Sequence, residues 1–139
     1  MERIRVEIIE DDALLRETMV TLMDLQPDFE VVGQAGDGDL GVKVALAQKP
    51  DVVLTDIAMP LMDGIEAARR IKEALPDTAI VMLTNYDAEE MLFDALKAGA
   101  IGYVIKSAGL PEVTEAVRAA YRKEGILPHH FVARVMQEF

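Results

Sequence analysis

The chain has 139 residues, 51% hydrophobic and 28% charged, a balance that suits one globular domain with a single core. A net charge of −11 repels a nucleic-acid backbone, so these residues alone make a poor DNA binder. Cysteine is absent, which removes disulfides, thiolate metal sites and a cysteine nucleophile, and points mildly to a cytoplasmic setting.

The opening residues, MERIRVEII, are interrupted by acids and lack the apolar core of a signal peptide. No later window approaches the ~18 apolar residues of a membrane span, so no membrane partner is expected. Residues 4–9 read as a strand, and 13–25 as a helix with Leu14, Leu15, Met19, Leu22 and Met23 on one face. Asp12 is its expected N-cap, and Pro27 follows its end. A second strand is expected over 29–32, with Gly33, Gly36 and Gly38 as turn signals. A glycine-weakened helix over 39–48 follows.

Residues 51–55 form a third strand ending at Asp56, and a loop over 57–63 holds Pro60. Gly64 opens a helix to about residue 75. A fourth strand spans 78–83, a loop 84–87 and a helix 88–98, which Gly99 closes. The fifth strand, 101–105, ends at Lys106, and a last long helix runs from Leu110 or Pro111 to about 123. Residues 128–139, PHHFVARVMQEF, carry an apolar stripe of Phe131, Val132, Val135 and Met136 that wants a partner, either this domain or a second copy. Met19, Met23 and Met91 read as core methionines, with an interface role as the alternative.

Strand and helix thus alternate five times, and the strands are nearly all apolar. That pattern predicts an α/β fold, a doubly wound five-stranded parallel sheet with helices on both faces. Ligands of such sheets bind beyond the carboxyl ends of the strands. Those ends carry Glu10, Asp11 and Asp12 after the first strand, Asp56 after the third, Thr84 on the fourth and Lys106 after the fifth. Taken singly, each has a bland reading: a helix cap, a solvated acid, a hydroxyl satisfying backbone groups, an exposed lysine. Together they place acids, a hydroxyl and an ammonium at one mouth. A small hard cation relieves the crowding of like charge, and an oxygen-only donor set without His or Cys suits Mg²⁺. Mg²⁺, a lysine and a hydroxyl can receive a phosphoryl group, with a carboxylate as covalent acceptor.

At this point the chain resembles the receiver domain of bacterial two-component response regulators. The resemblance rests on IIEDDALLRE, DVVLTDIAMPLMDGIEAARRIK, IVMLTNYD and KAGAIGYVIKSA, and covers residues 4 to about 123. It implies the flavodoxin-like strand order 2-1-3-4-5. It also implies Asp56 as phosphoacceptor, Thr84 as switch hydroxyl, Lys106 as phosphate-pairing lysine and Tyr103 as the rotating aromatic of the fifth strand. Alignment on Arg16 selects Glu10 and Asp11 as the metal-facing pair and leaves Asp12 as the cap, while a competing register would pair Asp11 with Asp12. The Ala58 carbonyl would complete the Mg²⁺ shell together with Asp56 and water.

The segment KAGAIGYVIKSAGLPEVTEAVRAAYR is similar to the NarL/FixJ subfamily, whose members usually carry a C-terminal helix-turn-helix domain. The expected division is a receiver over 1–124, with 125–139 as a linker or helix leading toward a DNA-binding domain that is not in this chain. The implied partners are a sensor histidine kinase, a second receiver on phosphorylation, and DNA only through that further domain. No enzyme activity is expected beyond the domain's own phosphoryl transfer and dephosphorylation.

Several residues depart from the family pattern. Asn85 follows Thr84 where a small residue is usual, Ser107 replaces the common proline after Lys106, and Ala58 offers no side chain to an attacking water. Tyr86 is placed to screen that water, and a cis Lys106–Ser107 peptide would cost about 2.5–4 kcal/mol. Three other readings fit parts of the sequence. Asn85 favours a phosphorylation-independent dimerisation module. A phosphohydrolase would want an acid where Ala58 stands. A flavin protein would want a Ser/Thr/Gly-rich cradle after the first strand.

Overall fold

The computed structural model describes residues 2–85 and 89–138. Its strands are β1 (Ile4–Ile9), β2 (Phe29–Ala35), β3 (Val52–Thr55), β4 (Ala79–Thr84) and β5 (Gly102–Ile105). Its α-helices are α1 (Ala13–Asp24), α2 (Gly38–Gln48), α3 (Gly64–Ala74), α4 (Glu89–Lys97), α5 (Leu110–Tyr121) and α6 (His129–Glu138). Met1, Tyr86, Asp87, Ala88 and Phe139 lie outside the described residues, and with them the expected loop end, helix start and water screen.

The sheet is parallel throughout, in the order β2-β1-β3-β4-β5. Period-2 alternation sorts its side chains into two cores. Val6, Ile8, Leu54 and Val81 pack against Met23 of α1 and Val113 and Val117 of α5. Ile9, Val53, Ile80 and Met82 pack against α2, α3 and α4, where Ala45, Ile71 and Leu92 are buried. Asp12, Asp37 and Asp63 each cap a helix, accepting the N–H of Leu15, Leu40 and Glu66 at 3.1, 2.8 and 2.9 Å. These caps place helix N-termini at the edge where the strands end.

Several boundaries differ from expectation. β2 continues through Gly33 to Ala35, because the register slips between Val6 and Glu7 and absorbs one residue as a bulge. In α2, a Cβ at Gly41 would lie 2.4 Å from Ile9 Cδ1, so the glycine lets this helix press onto β1. The expected α1 face is only partly inside: Leu14 is 75% exposed and Leu22 faces partly outward, while Met23 is buried with Met19 and Val20 packed beside it. Every described peptide bond is trans, Lys106–Ser107 included.

The segment after α5 turns back onto the sheet. Ile126 pairs with Gly102, taking the Tyr103 N–H on its carbonyl at 2.9 Å and donating to the Ile101 carbonyl at 3.3 Å. The outer edge of β5 is thereby covered. Phe131 of α6 is buried in the second core, with Val135 packed on it, while Val132 and Met136 stay exposed.

Candidate functional site

The site follows from register. Ile9 of β1 stands opposite Thr55 of β3, so Glu10 and Asp56 leave neighbouring strands at one level. The Asp56 N–H donates to the Ile9 carbonyl at 3.1 Å, which holds that level. In the order 2-1-3-4-5 the chain reverses direction between β1 and β3, so this gap is the switch point of the sheet. Gly64 closes the floor. A Cβ there would come within 1.8 Å of the Asp56 carbonyl oxygen, and the Gly64 N–H donates to the Ile57 carbonyl at 2.8 Å.

The Asp56 carboxylate is held at both oxygens. Oδ1 accepts the Ile57 N–H at 2.7 Å, and Oδ2 accepts Lys106 Nζ at 2.8 Å. Lys106 reaches in from the end of β5 and also donates to Glu10 Oε1 at 2.6 Å. The other Glu10 oxygen accepts the Asp12 N–H at 3.1 Å. The side chains of Glu10 and Asp56 are buried, and Asp11 stands exposed beside them. One ammonium thus bridges two acids from separate strands, which is why the crowded charge at the end of β1 is tolerated.

The electrostatics agree. Burial disfavours the Lys106 ammonium, but hydrogen bonds and charge from Asp56 and Glu10 outweigh it and hold its pKa above the ordinary lysine value. The Asp11 carboxyl is pushed above its usual range, first by hydrogen bonding with Glu10, then by partial desolvation and the Glu10 charge. Ligand oxygens of Glu10, Asp11 and Asp56 all lie within 4.8 Å of one another. Three carboxylates face one ammonium, and the residual negative charge on an all-oxygen donor set fits a divalent hard cation such as Mg²⁺.

Among the described residues the structure therefore groups Glu10, Asp11, Asp56 and Lys106. Asp12 is spent on the α1 cap. Ala58 is exposed two residues past Asp56. Thr84 ends β4, fully buried, one strand from Asp56. Tyr103 is buried on β5, with its ring edge-to-face against Phe131 at a centroid distance of 6.0 Å. Sequence reasoning missed the part played by Gly64, whose signal is a glycine at a helix start directly after the Asp63 cap. It left the seat of Phe131 open between this domain and a second copy, and the structure places that ring in this domain's second core.

An acid mouth at the switch point of a doubly wound sheet, bridged by a lysine, defines the class to which comparison then gives a family. Residues 6–118 match the family model of the response regulator receiver domain, and the chain belongs to that family. It is 42% identical over 137 residues to the uncharacterised transcriptional regulatory protein YxjL of Bacillus subtilis, covering 99% of this chain and 63% of that protein. It is 37% identical to the transcriptional regulatory protein LiaR of the same organism, covering 96% of this chain and 63% of the other. The chain thus spans less than two thirds of the length of these relatives. A LuxR-family two-component response regulator from Aurantimonas superposes with a TM-score of 0.90 at 26% identity, covering 99% of this chain and 98% of that one. The receiver domain of NarL from Mycobacterium tuberculosis superposes with a TM-score of 0.83 at 32% identity, covering 88% and 98%. The chain is a receiver domain of the NarL/LuxR type. Among the described residues no helix is long and apolar enough to cross a membrane.

Proposed function

We propose that this receiver takes a phosphoryl group from a sensor histidine kinase onto Asp56 and changes shape in response. The observation that carries the reading is the Lys106 ammonium held against the Asp56 carboxylate at 2.8 Å, inside a cluster of oxygens suited to Mg²⁺. An Asp56 oxygen attacks phosphorus in line. The P–N bond of the phosphohistidine breaks, and its electron pair stays on the imidazole nitrogen, which takes up a proton. The Ile57 N–H keeps Oδ1 in place, and Lys106 moves from Asp56 Oδ2 onto a phosphoryl oxygen. Glu10, Asp11 and Asp56, with the Ala58 carbonyl, would hold a Mg²⁺ ion, which would supply neutralisation of the phosphoryl charge.

Thr84 then turns its hydroxyl toward the phosphoryl group, and the space it leaves accepts Tyr103, so the surface around β5 is redrawn. A covalent phosphate needs to overcome only a few kcal/mol between such states. A receiver so altered pairs with a second copy and controls transcription through an output domain, and the net charge of −11 leaves DNA contact to that domain. No turnover of an outside substrate is part of the reading: the chain catalyses only its own phosphorylation and dephosphorylation.

The exposed Asn85 beside Thr84 is the feature that favours a phosphorylation-independent dimerisation module instead. One experiment separates the two. The chain is incubated with acetyl phosphate and Mg²⁺, and its intact mass is followed alongside its elution from a sizing column. A single added phosphate that is lost in Asp56→Ala supports the phosphoreceiver. A wild-type chain that stays unmodified and dimeric supports the module.

A further inference from the structure

The acid loop between β1 and α1 is stapled by one side chain that is not itself an acid. Arg16 lies on the second turn of α1, and its backbone N–H donates to the Asp12 carbonyl at 2.8 Å. Its guanidinium Nη1 donates back to the Glu10 carbonyl at 2.7 Å, and Nε donates to Gln34 Oε1 at 3.2 Å on β2. The carbonyls on both sides of Asp11 are therefore held by the same residue. Gly36, just after β2, makes room for it: a Cβ at that position would sit 2.9 Å from Arg16 Nη1. A planar fork can serve two acceptors in different directions, which a lysine ammonium on a flexible stem does poorly.

We propose that Arg16 is a positioning residue for the cation site: by pinning the Glu10 carbonyl it sets the spacing of the Glu10, Asp11 and Asp56 carboxylates, and Gly36 exists to admit its guanidinium. The inference rests on the reading of that cluster as a Mg²⁺ site. Arg16 touches no carboxylate of the cluster, so its effect passes through the main chain.

The sign of the effect separates positioning from charge. A cation beside a Mg²⁺ site repels the metal, so if Arg16 acted through charge alone its removal would tighten binding. Positioning predicts the opposite, and supporting residues of metal sites typically contribute about 10–100-fold in affinity. Mg²⁺ is titrated calorimetrically into the full chain and into Arg16→Ala, Arg16→Lys, Gly36→Ala and the Arg16→Ala/Gly36→Ala double variant. The unfolding midpoint of each is measured in chelator.

Expected is a loss of about tenfold or more in Arg16→Ala, little rescue by Arg16→Lys, and a loss of several-fold in Gly36→Ala that disappears when Arg16 is already absent. Unfolding midpoints in chelator should not follow this order. Equal or tighter Mg²⁺ binding in the variants overturns the positioning role while leaving the Mg²⁺ reading intact, as does a Gly36→Ala effect that persists without Arg16. A wild-type chain that takes up no Mg²⁺ overturns both. Should Arg16→Ala fail to fold, Gly36→Ala against wild type still decides, since it changes no charge.

Discussion

The ring of Phe131 stands edge-on to the ring of Tyr103, their planes 88° apart and their centroids 6.0 Å apart. The aromatic proposed to move with the switch is therefore covered by the chain's own last helix. Phe131→Ala should unseat α6. Full truncation in a rigid core costs about 3–5 kcal/mol. A terminal helix can leave as a unit, so the global loss here should be smaller, on the order of 1–2 kcal/mol. Hydrogen exchange reads this directly. The Tyr103 amide, bonded to the Ile126 carbonyl, should exchange at least tenfold faster in the variant, whereas the amides of β1 and β3 should keep their protection. Unchanged exchange at Tyr103 would mean that the contact holds nothing in place.

Lys106→Ala removes the cation shared by Glu10 and Asp56 and leaves two buried carboxylates facing each other. Losing one partner of a fully buried pair costs about 3–5 kcal/mol. Lys106 keeps some solvent exposure, so a cost on the order of 2 kcal/mol at neutral pH is expected. Mg²⁺ should bind at least as tightly as in wild type, because the competing ammonium is gone. Phosphate incorporation at Asp56 should slow by tenfold or more. Denaturant melts, Mg²⁺ titration and timed intact-mass spectra measure the three effects separately, and weaker Mg²⁺ binding would contradict the bridging role.

Gly64→Ala tests the floor of the site. The added methyl would lie 1.8 Å from the Asp56 carbonyl oxygen and 3.1 Å from Ile57 Cα, both main-chain atoms that cannot swing aside. Overpacking costs about 1–3 kcal/mol, and the backbone on both sides places this substitution at or beyond the upper end. The Asp56–Ile57 segment must shift, so phosphorylation should fall together with stability. A variant with wild-type melting and wild-type phosphate uptake would show that α3 has room to move.

Much of this was legible because the chemistry sits at strand ends. Short apolar runs located the strands, and the residues after them, Glu10, Asp56 and Lys106, meet because parallel register brings strand termini level. What was hidden depends on reach and covering. The span of Lys106 from β5 to Glu10 crosses two intervening strands and leaves no trace in one dimension. The passage of β2 through Gly33 depends on a bulge against β1, which local turn signals contradict. Periodicity gave α1 an apolar stripe but not its centre, so Leu14 was expected inside and is exposed. Glu7 was hidden in another way: nothing in the strand pattern singles out this acid, yet Glu7 is fully buried.

Glu7 has a consequence in pH. Neither of its carboxylate oxygens has a hydrogen-bond partner among the described residues. Its Cγ lies near Gly33, which the α2 side chains Val44 and Gln48 also approach, while the Arg5 guanidinium two residues earlier donates to the Lys49 carbonyl. Burial alone pushes its pKa from 4.5 up to about 8. A raised folded-state value means that, between these two pH limits, native Glu7 keeps a proton that the unfolded chain has released. The stability it contributes is whole below pH 4.5, declines as pH rises, and is lost once pH passes about 8. Linkage puts the loss on the order of 3 kcal/mol at pH 7. Glu7→Leu should therefore be more stable than wild type by a margin that widens from pH 5 to pH 8 and is then constant. Taking the difference between the two proteins cancels groups such as Asp28, whose carboxyl is held low by its hydrogen bond to Arg118 and titrates in both. Urea melts of the pair at pH 5, 6.5, 8 and 9 supply that margin; if it is the same at every pH, Glu7 is not the buried acid described.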